Sequence, residues 1–190
     1  AFLWQIAGGL PRLRTDIALG ADGRLYLRRA RLQAPLLELN GEGVRNVDGT
    51  VRFTGKGRHG TYGPLTLALS GALDRPAVDL LLQRPLDAAG LAEVHVLLDP
   101  EGRDYRLKAE GQSTLGPFAA AGLIAMPAGG ETTIVLDRLT VNGTEGTGRL
   151  RVVPGGLAGR LDFEGSLRGP VDLLVENGVQ KAKLDFRINQ

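Results

Sequence analysis

Cysteine is absent from this chain of 190 residues, and only nine of the residues are aromatic. Without cysteine the chain has no disulfides, no thiolate metal sites and no cysteine nucleophile. The opening apolar run Ala1 to Leu10 is shorter than the about 20 residues that span a bilayer, and we interpret the chain as an excerpt of a longer protein. The net charge of +2 lacks the strong basic surplus that is typical of nucleic-acid binding, so no nucleic-acid partner is predicted.

Glycine and proline, by contrast, are abundant. The 28 Gly and 10 Pro make up a fifth of the chain, against an ordinary share of roughly 12 %. These residues disfavour long helices, and the only helical candidate is one turn within Leu86 to Ala92.

Apolar and charged residues alternate with period two along most of the chain, as in Lys181 to Ile188. This period places successive side chains on opposite faces of a strand. The pattern predicts a single all-β segment over residues 1–190, an elongated and strongly curved antiparallel sheet of consecutive hairpins with little or no helix. The predicted turns separate roughly twelve strands and lie at Asn40-Gly41, Asp48-Gly49, Pro100 to Gly102, Gly129-Gly130, Asn142-Gly143, Pro154 to Gly156 and Asn177-Gly178.

Two internal repeats are visible. The phrase G-x-L-x-x-P followed by V-D-L-L occurs from Gly71 and again, with a one-residue slip, from Gly165; in each copy the leucine is predicted to end one strand and the proline to begin the next. The dipeptide Gly-Pro recurs at positions 63, 116 and 169, and both intervals are 53 residues. This spacing indicates a structural repeat made of several strands.

Motifs for catalysis or ligand binding are weak. Gly55 to Gly60 reads G-x-G-x-x-G, but another strand pattern follows it where a phosphate site needs a helix, so we predict a flexible hairpin loop. The two histidines, His59 and His95, have no partners at metal-ligand spacing, and His95 is predicted to lie on a water-facing side of its strand. We therefore predict no enzyme activity and no catalytic, metal or cofactor-binding residues.

The apolar strand faces are the one extended feature with a potential function. Glycines within the strand patterns, at Gly122, Gly159 and Gly165, favour a sharply bent sheet that encloses an aliphatic groove. A β-sandwich with a closed core is the alternative that the alternation leaves open. The predicted lining of the groove is Val51, Phe53, Leu65, Leu67, Leu69, Val78, Leu80, Leu82, Val94, Val96, Tyr105, Leu107, Phe118, Ile124, Ile134, Leu136, Leu161, Phe163, Leu173, Val175, Leu184 and Phe186.

Several phrases carry a family resemblance: the G-x-L-x-x-P-x-V-D-L-L phrase, Gly111 to Phe118, Ile134 to Val141, and Gly148 to Leu150 with Pro154 to Leu161. Together they resemble the TamB family of translocation and assembly module subunits, and the style of repeat is similar to the AsmA-like group of bridge-like lipid transport proteins. The resemblance implies a long periplasmic protein of Gram-negative bacteria that is anchored in the inner membrane outside this excerpt. It also implies a folded-over sheet called a β-taco, and a TamA-like barrel partner in the outer membrane.

From the apolar faces and this resemblance we expect a non-enzymatic conduit for phospholipid acyl chains, which supports phospholipid transport to the outer membrane and assembly of outer-membrane proteins. The alternative is a structural or chaperone-like sheet that binds segments of outer-membrane proteins by strand addition. A third possibility is an ordinary sandwich that acts as a binding module.

Overall fold

The computed structural model describes residues 9–85, 90–153, 156–164, 167–176, 179–184 and 187–188, and these residues form one antiparallel sheet. Strands β1 to β14 follow one another in chain order, each paired with the next, and β15 pairs with β13. The strands are β1 (Arg12–Leu19), β2 (Leu25–Ala34), β3 (Leu37–Arg45), β4 (Thr50–His59), β5 (Gly63–Ala72), β6 (Pro76–Leu82), β7 (Ala92–Glu101), β8 (Asp104–Ser113), β9 (Gly116–Ala125), β10 (Thr133–Val141), β11 (Thr144–Val153), β12 (Gly156–Glu164), β13 (Leu167–Glu176), β14 (Val179–Leu184) and β15 (Arg187–Ile188).

This topology confirms the predicted fold class, a strongly curved all-β sheet of consecutive hairpins that does not close into a barrel. The described residues form a single sheet, whereas the sandwich alternative requires two sheets packed face to face. The predicted helical turn is not supported at its end, because Ala92 is the first residue of β7. The start of that turn, Leu86 to Ala89, lies outside the described residues.

Several glycines lie where neighbouring strands approach each other closely. A Cβ at Gly57 would lie 2.8 Å from the Leu39 Cα on the neighbouring strand, and one at Gly159 would lie 2.7 Å from the Leu150 Cα. Such contacts arise only where the adjacent strand folds over toward the face to which the Cβ would point. We call this the concave face and the opposite one the convex face. Gly122 has a similar close contact with the Leu136 Cα, at 2.9 Å. Of the three predicted bend glycines, Gly122 and Gly159 thus lie where neighbouring strands approach closely, and Gly165 lies outside the described residues.

Most predicted turns that fall on described residues connect strands. Asn142 and Gly143 both have positive φ, 46° and 79°, as a two-residue type I′ hairpin requires. Asn40-Gly41 is a correction, because both residues lie inside β3, where they pair with Lys56 and Gly55.

The glycine-rich motif needs the same correction. Residues Gly55 to His59 belong to β4, and only Gly60 lies in the turn that follows. The turn signal failed at both places because glycine also occurs inside strands, where it lets a neighbouring strand approach closely.

The two repeats have different structural meanings. Gly63 begins β5, Gly116 begins β9 and Gly169 is the third residue of β13, so each interval of 53 residues contains four strands. In the other repeat, Pro76 begins β6 as predicted. However, Leu73 follows the end of β5, and Pro170 is the fourth residue of β13 instead of its first.

Candidate functional site: the apolar concave face

Cross-strand pairing aligns the concave-face residues into rows that run across the strands. Residues directly opposite each other in an antiparallel pair share a face, so the register defines each row without reference to side-chain orientation. The first row contains Gly43, Phe53, Leu69, Val78, Leu98, Leu107, Gly122, Leu136, Gly148 and Leu161. The second row contains Ala30, Gly41, Gly55, Leu67, Leu80, Val96, Ala109, Ala120, Leu139, Gly146 and Phe163.

Neither row contains a polar side chain from its first strand to β12. With a spacing of about 4.8 Å between strands, ten consecutive strands give an apolar track roughly 43 Å long. Sequence reasoning found the period within each strand but not this alignment between strands, which depends on the two-residue and three-residue turns and on the bulges in β7 and β10.

The predicted lining residues from Val51 to Phe163 all occupy concave-face positions, but they differ in exposure. The buried ones are Leu65, Val78, Val94, Leu107, Ile124, Ile134 and Leu136. The half-buried ones are Val51, Phe53, Leu67, Leu69, Leu80, Leu82, Val96, Tyr105, Phe118, Leu161 and Phe163. For the last four predicted residues, the side chains of Leu173, Val175 and Leu184 and the whole of Phe186 lie outside what the structure describes.

The largest group of buried residues that contact one another lies in one part of the face. Leu107, Ile124, Leu136 and Leu150 come from four consecutive strands, β8 to β11, and bury one another in a single apolar cluster. One layer of sheet can bury its own side chains only where it curves, because no second layer covers them. This cluster is therefore the structural core. On β4 to β6 the side chains of Phe53, Leu67, Leu69 and Leu80 are half-buried, and we call these four the open part of the face, although Leu65 and Val78 on the same strands are buried.

Phenylalanine rings cover glycines on the concave face. Phe53, Phe118 and Phe163 each pair in register with a glycine, namely Gly43, Gly111 and Gly146. The ring carbons lie 2.9 to 3.1 Å from where the Cβ of the paired glycine would be. The ring thus fills the space that glycine leaves in the sheet, an arrangement that also stabilises glycine-containing strands elsewhere.

Among the residues whose burial is described, His59 is the one buried polar residue of the concave face, with a relative exposure of 4 %. Its Nδ1 accepts hydrogen bonds from the backbone N–H groups of Thr61 and Tyr62, at 3.1 and 3.2 Å, and its ring stacks on Tyr62 with 4.7 Å between centroids. Burial raises the pKa of the Tyr62 hydroxyl. These contacts hold the turn between β4 and β5. Sequence reasoning missed them because it assigned His59 to a flexible loop, although the aromatic Tyr62 three residues later was an available signal.

The convex face carries the charged residues. His95 lies there as predicted, with its Nε2 atom 2.7 Å from the Asp79 Oδ1 atom on the neighbouring strand. An open depression of about 640 Å³ beside it is lined in part by Glu93, Glu110 and Glu145. In the part of the chain that the structure describes, no three His, Cys, Asp or Glu side chains are grouped so that they could hold a metal ion.

Comparison with protein-family models, with curated proteins and with solved structures finds no match for this chain. The geometry of the two faces is therefore the basis on which a function can be inferred. Among the described residues, no helix is long and apolar enough to cross a membrane.

Proposed function

We propose that this chain is a segment of a conduit for phospholipid acyl chains, within a longer periplasmic protein that is anchored in the inner membrane and reaches an outer-membrane barrel. The observation that carries the proposal is the pair of uninterrupted apolar rows along the concave face from β3 to β12. A binding pocket for one ligand needs convergent polar groups that fix its orientation, whereas these rows have none. No polar group therefore fixes an apolar chain at one position along them.

The energetics favour occupation of the face. Transfer of about sixteen methylenes from water to an apolar surface is favourable by roughly 13 kcal/mol, at about 0.8 kcal/mol each, before the cost of ordering the chain. No single position contributes much of this total. The lipid can thus move along the rows without leaving a deep minimum.

The open part of the face is the expected acyl track. Phe53, Leu67, Leu69 and Leu80 are half-buried and adjacent across β4 to β6, so they keep surface that a lipid can cover. The buried cluster of β8 to β11 already covers its own surface. We expect an acyl chain to pass over that cluster only when its side chains move apart.

Photocrosslinking tests the proposal. A photoreactive amino acid at Leu67, which is in the second row, is expected to form phospholipid adducts in bacterial cells, and native mass spectrometry should detect phospholipid bound to the purified protein. The neighbouring residue Thr66 is the matched control, because it belongs to the convex face and pairs with Lys56. Equal lipid labelling at both positions, or none at Leu67, would contradict the conduit. Protein adducts at Leu67 without lipid would support the chaperone-like alternative.

A further inference from the structure

We propose that Arg75 binds the phosphate of a glycerophospholipid whose acyl chains lie on the open part of the face. The inference rests on the proposed function and adds to it the residue that recognises the headgroup. It depends on three features of one rim of the sheet. They are an arginine held against a ring of the concave face, a positive charge that no carboxylate neutralises, and a row of positions that separates this charge from the acyl track.

Arg75 lies in the turn between β5 and β6 and reaches past β7 to the start of β8. Its Nη2 atom donates a hydrogen bond to the Asp104 backbone carbonyl oxygen at 2.6 Å, and its Cζ atom lies 5.3 Å from the centre of the Tyr105 ring. Tyr105 pairs with Ile124 and occupies a concave-face position, so the guanidinium lies at the border of that face. The ring attracts the cation but does not neutralise its charge.

Arg75 forms no ion pair within the described part of the chain. Asp104 offers it a backbone carbonyl, while the Asp104 Oδ1 atom accepts a hydrogen bond from the Met126 backbone N–H at 3.0 Å. Glu101, at the end of β7, pairs with Arg106. A guanidinium carries five N–H donors in a planar fork that matches a phosphate, and the bond to Asp104 uses one of them. Donors therefore remain for an oxyanion.

A third row of concave-face positions connects this rim with the acyl track. It lies two residues from the first row on each strand and contains Arg45, Val51, Gly71, Pro76, Pro100 and Tyr105. Two residues of a strand span roughly 7 Å, which leaves room for glycerol and ester groups between a phosphate at the rim and acyl chains on the first row. A Cβ at Gly71 would meet no atom within 4 Å, so the row is open beside the turn that carries Arg75.

Arg45 places a second positive charge in the third row, on the β3 side of the open part of the face. It is exposed, and it forms no ion pair among the described residues. Of the described residues that pair in register at concave-face positions, Arg45 is the one that is charged. The charges that the third row and Arg75 place beside the acyl track are thus positive.

These features select a phosphate-bearing lipid as the occupant. Inorganic phosphate alone would leave the apolar side chains uncovered, and an uncharged lipid would leave the arginine without an anion. A fatty acid has its carboxylate directly on the acyl chain, whereas a glycerophospholipid separates phosphate and acyl chains as the third row requires. A contact between a partly exposed arginine and a phosphate is weak, so it orients the headgroup toward the rim without stopping movement along the rows.

The test measures equilibrium binding of two short-chain lipids with the same acyl chains, dioctanoylphosphatidylglycerol and dioctanoylglycerol, to the whole chain. At low salt the wild-type protein is expected to bind the phosphate-bearing lipid about fivefold more tightly. Arg75→Gln should remove this preference without weakening dioctanoylglycerol binding, and Arg45→Gln should reduce it in part. Arg52→Gln is the control, because it removes the same charge from the convex face, where Arg52 pairs with Ser70. This variant should keep the preference.

Failure of the headgroup contact can be distinguished from failure of the conduit. Equal binding of the two lipids by the wild-type protein, or equal loss of the preference in Arg52→Gln and Arg75→Gln, would overturn the contact and leave the apolar track in place. Loss of dioctanoylglycerol binding in Arg75→Gln would overturn it too, because Arg75 would then act on the structure of the groove. So would displacement of dioctanoylphosphatidylglycerol by an equal concentration of inorganic phosphate. If neither lipid binds, the conduit itself is contradicted.

Discussion

Some concave-face glycines, such as Gly41 and Gly57, are required by the backbone of the neighbouring strand and not by their own dihedral angles. Gly41 and Gly57 have no positive φ, yet a Cβ on either would lie 2.8 Å from a Cα atom of the paired strand. Backbone at that distance cannot move aside as a flexible side chain can. At the residue scale, curvature therefore depends on the absence of a side chain at a few positions.

We expect Gly57→Ala to destabilise the fold by about 3 kcal/mol or more, because the strands β3 and β4 must separate to admit the methyl group. Gly60→Ala is the matched control, since its Cβ would come no closer than 3.4 Å to any atom of Leu36. That substitution should change the free energy of unfolding by less than about 1 kcal/mol. Urea denaturation measures both, and equal effects would contradict this account of the bend.

Asp48 makes the turn between β3 and β4 sensitive to acid. The Thr50 hydroxyl donates a hydrogen bond to the Asp48 carboxylate at 2.7 Å, and the Thr50 backbone N–H donates another to the same carboxylate at 2.9 Å. Both bonds lower the pKa of Asp48 from its ordinary 3.8, and the bond from the hydroxyl is the larger cause. Because the folded-state pKa is the lower one, the stabilisation is present above pH 3.8 and is lost as the pH falls through the folded-state value.

We therefore expect Asp48→Ala to lower the free energy of unfolding at neutral pH and to have a smaller effect at about pH 2. Denaturant unfolding of both proteins across this range measures the difference. An Asp48→Ala effect that is the same at both pH values would show that the carboxylate charge does not contribute.

Most strands present two chemically different faces, so the contributions of the two faces can be tested separately. In β5, Leu65, Leu67 and Leu69 belong to the concave face, while Thr66 belongs to the convex one beside Lys56. A substitution at one of two neighbouring residues thus tests one face at a time.

We expect Leu67→Glu to reduce the phospholipid that copurifies with the protein by at least about fivefold, because a carboxylate in the apolar row must lose its hydration when a lipid covers it. Thr66→Glu should leave the amount unchanged, since the new charge faces Lys56 and solvent. Lipid extraction with quantitative mass spectrometry provides the measurement, and circular dichroism checks that both variants fold. The corresponding substitution Phe163→Glu should reduce lipid binding in the same way. Undiminished lipid in the Leu67 and Phe163 variants would count against the acyl track.

The whole molecule behaves as a series of nearest-neighbour strand pairs. Each strand contacts mainly the strand before it and the strand after it, as in solenoid proteins, where removal of whole repeats leaves a shorter folded chain. The repeat of 53 residues corresponds to four strands. An even number of strands returns the chain to the same end of the sheet with the same side facing inward.

Deletion of residues 63–115, strands β5 to β8, should therefore give a folded protein in which β9 pairs with β4 and the apolar rows remain continuous. We expect cooperative unfolding with a denaturant m-value lower by about a quarter. Deletion of residues 63–101, which removes three strands, is the control. After that deletion the remaining strands must turn their apolar side to the convex face, so we expect aggregation. Folding of both deletion variants would contradict this dependence on strand number.

Much of the architecture could be predicted from single strands and turns. The alternation in Tyr105 to Ala109 places Leu107 on the apolar face, and Asn142-Gly143 defines a hairpin, because both signals are local. The failures have a common cause: Gly41, Gly57 and His59 were assigned to turns because glycine is typical of turns and of close strand contacts alike. Nothing within one strand distinguishes these two uses.

The sequence by itself determined the period of two, the hairpin order and the separation of apolar from charged residues, since each depends on neighbouring positions. Only the tertiary structure decided which apolar residues are buried, where the sheet bends, and that His59 is buried while Ile17 is exposed. These properties depend on how closely adjacent strands approach and on whether a strand has neighbours on both sides. Side chains from several strands set them together, so no single segment of the chain contains them.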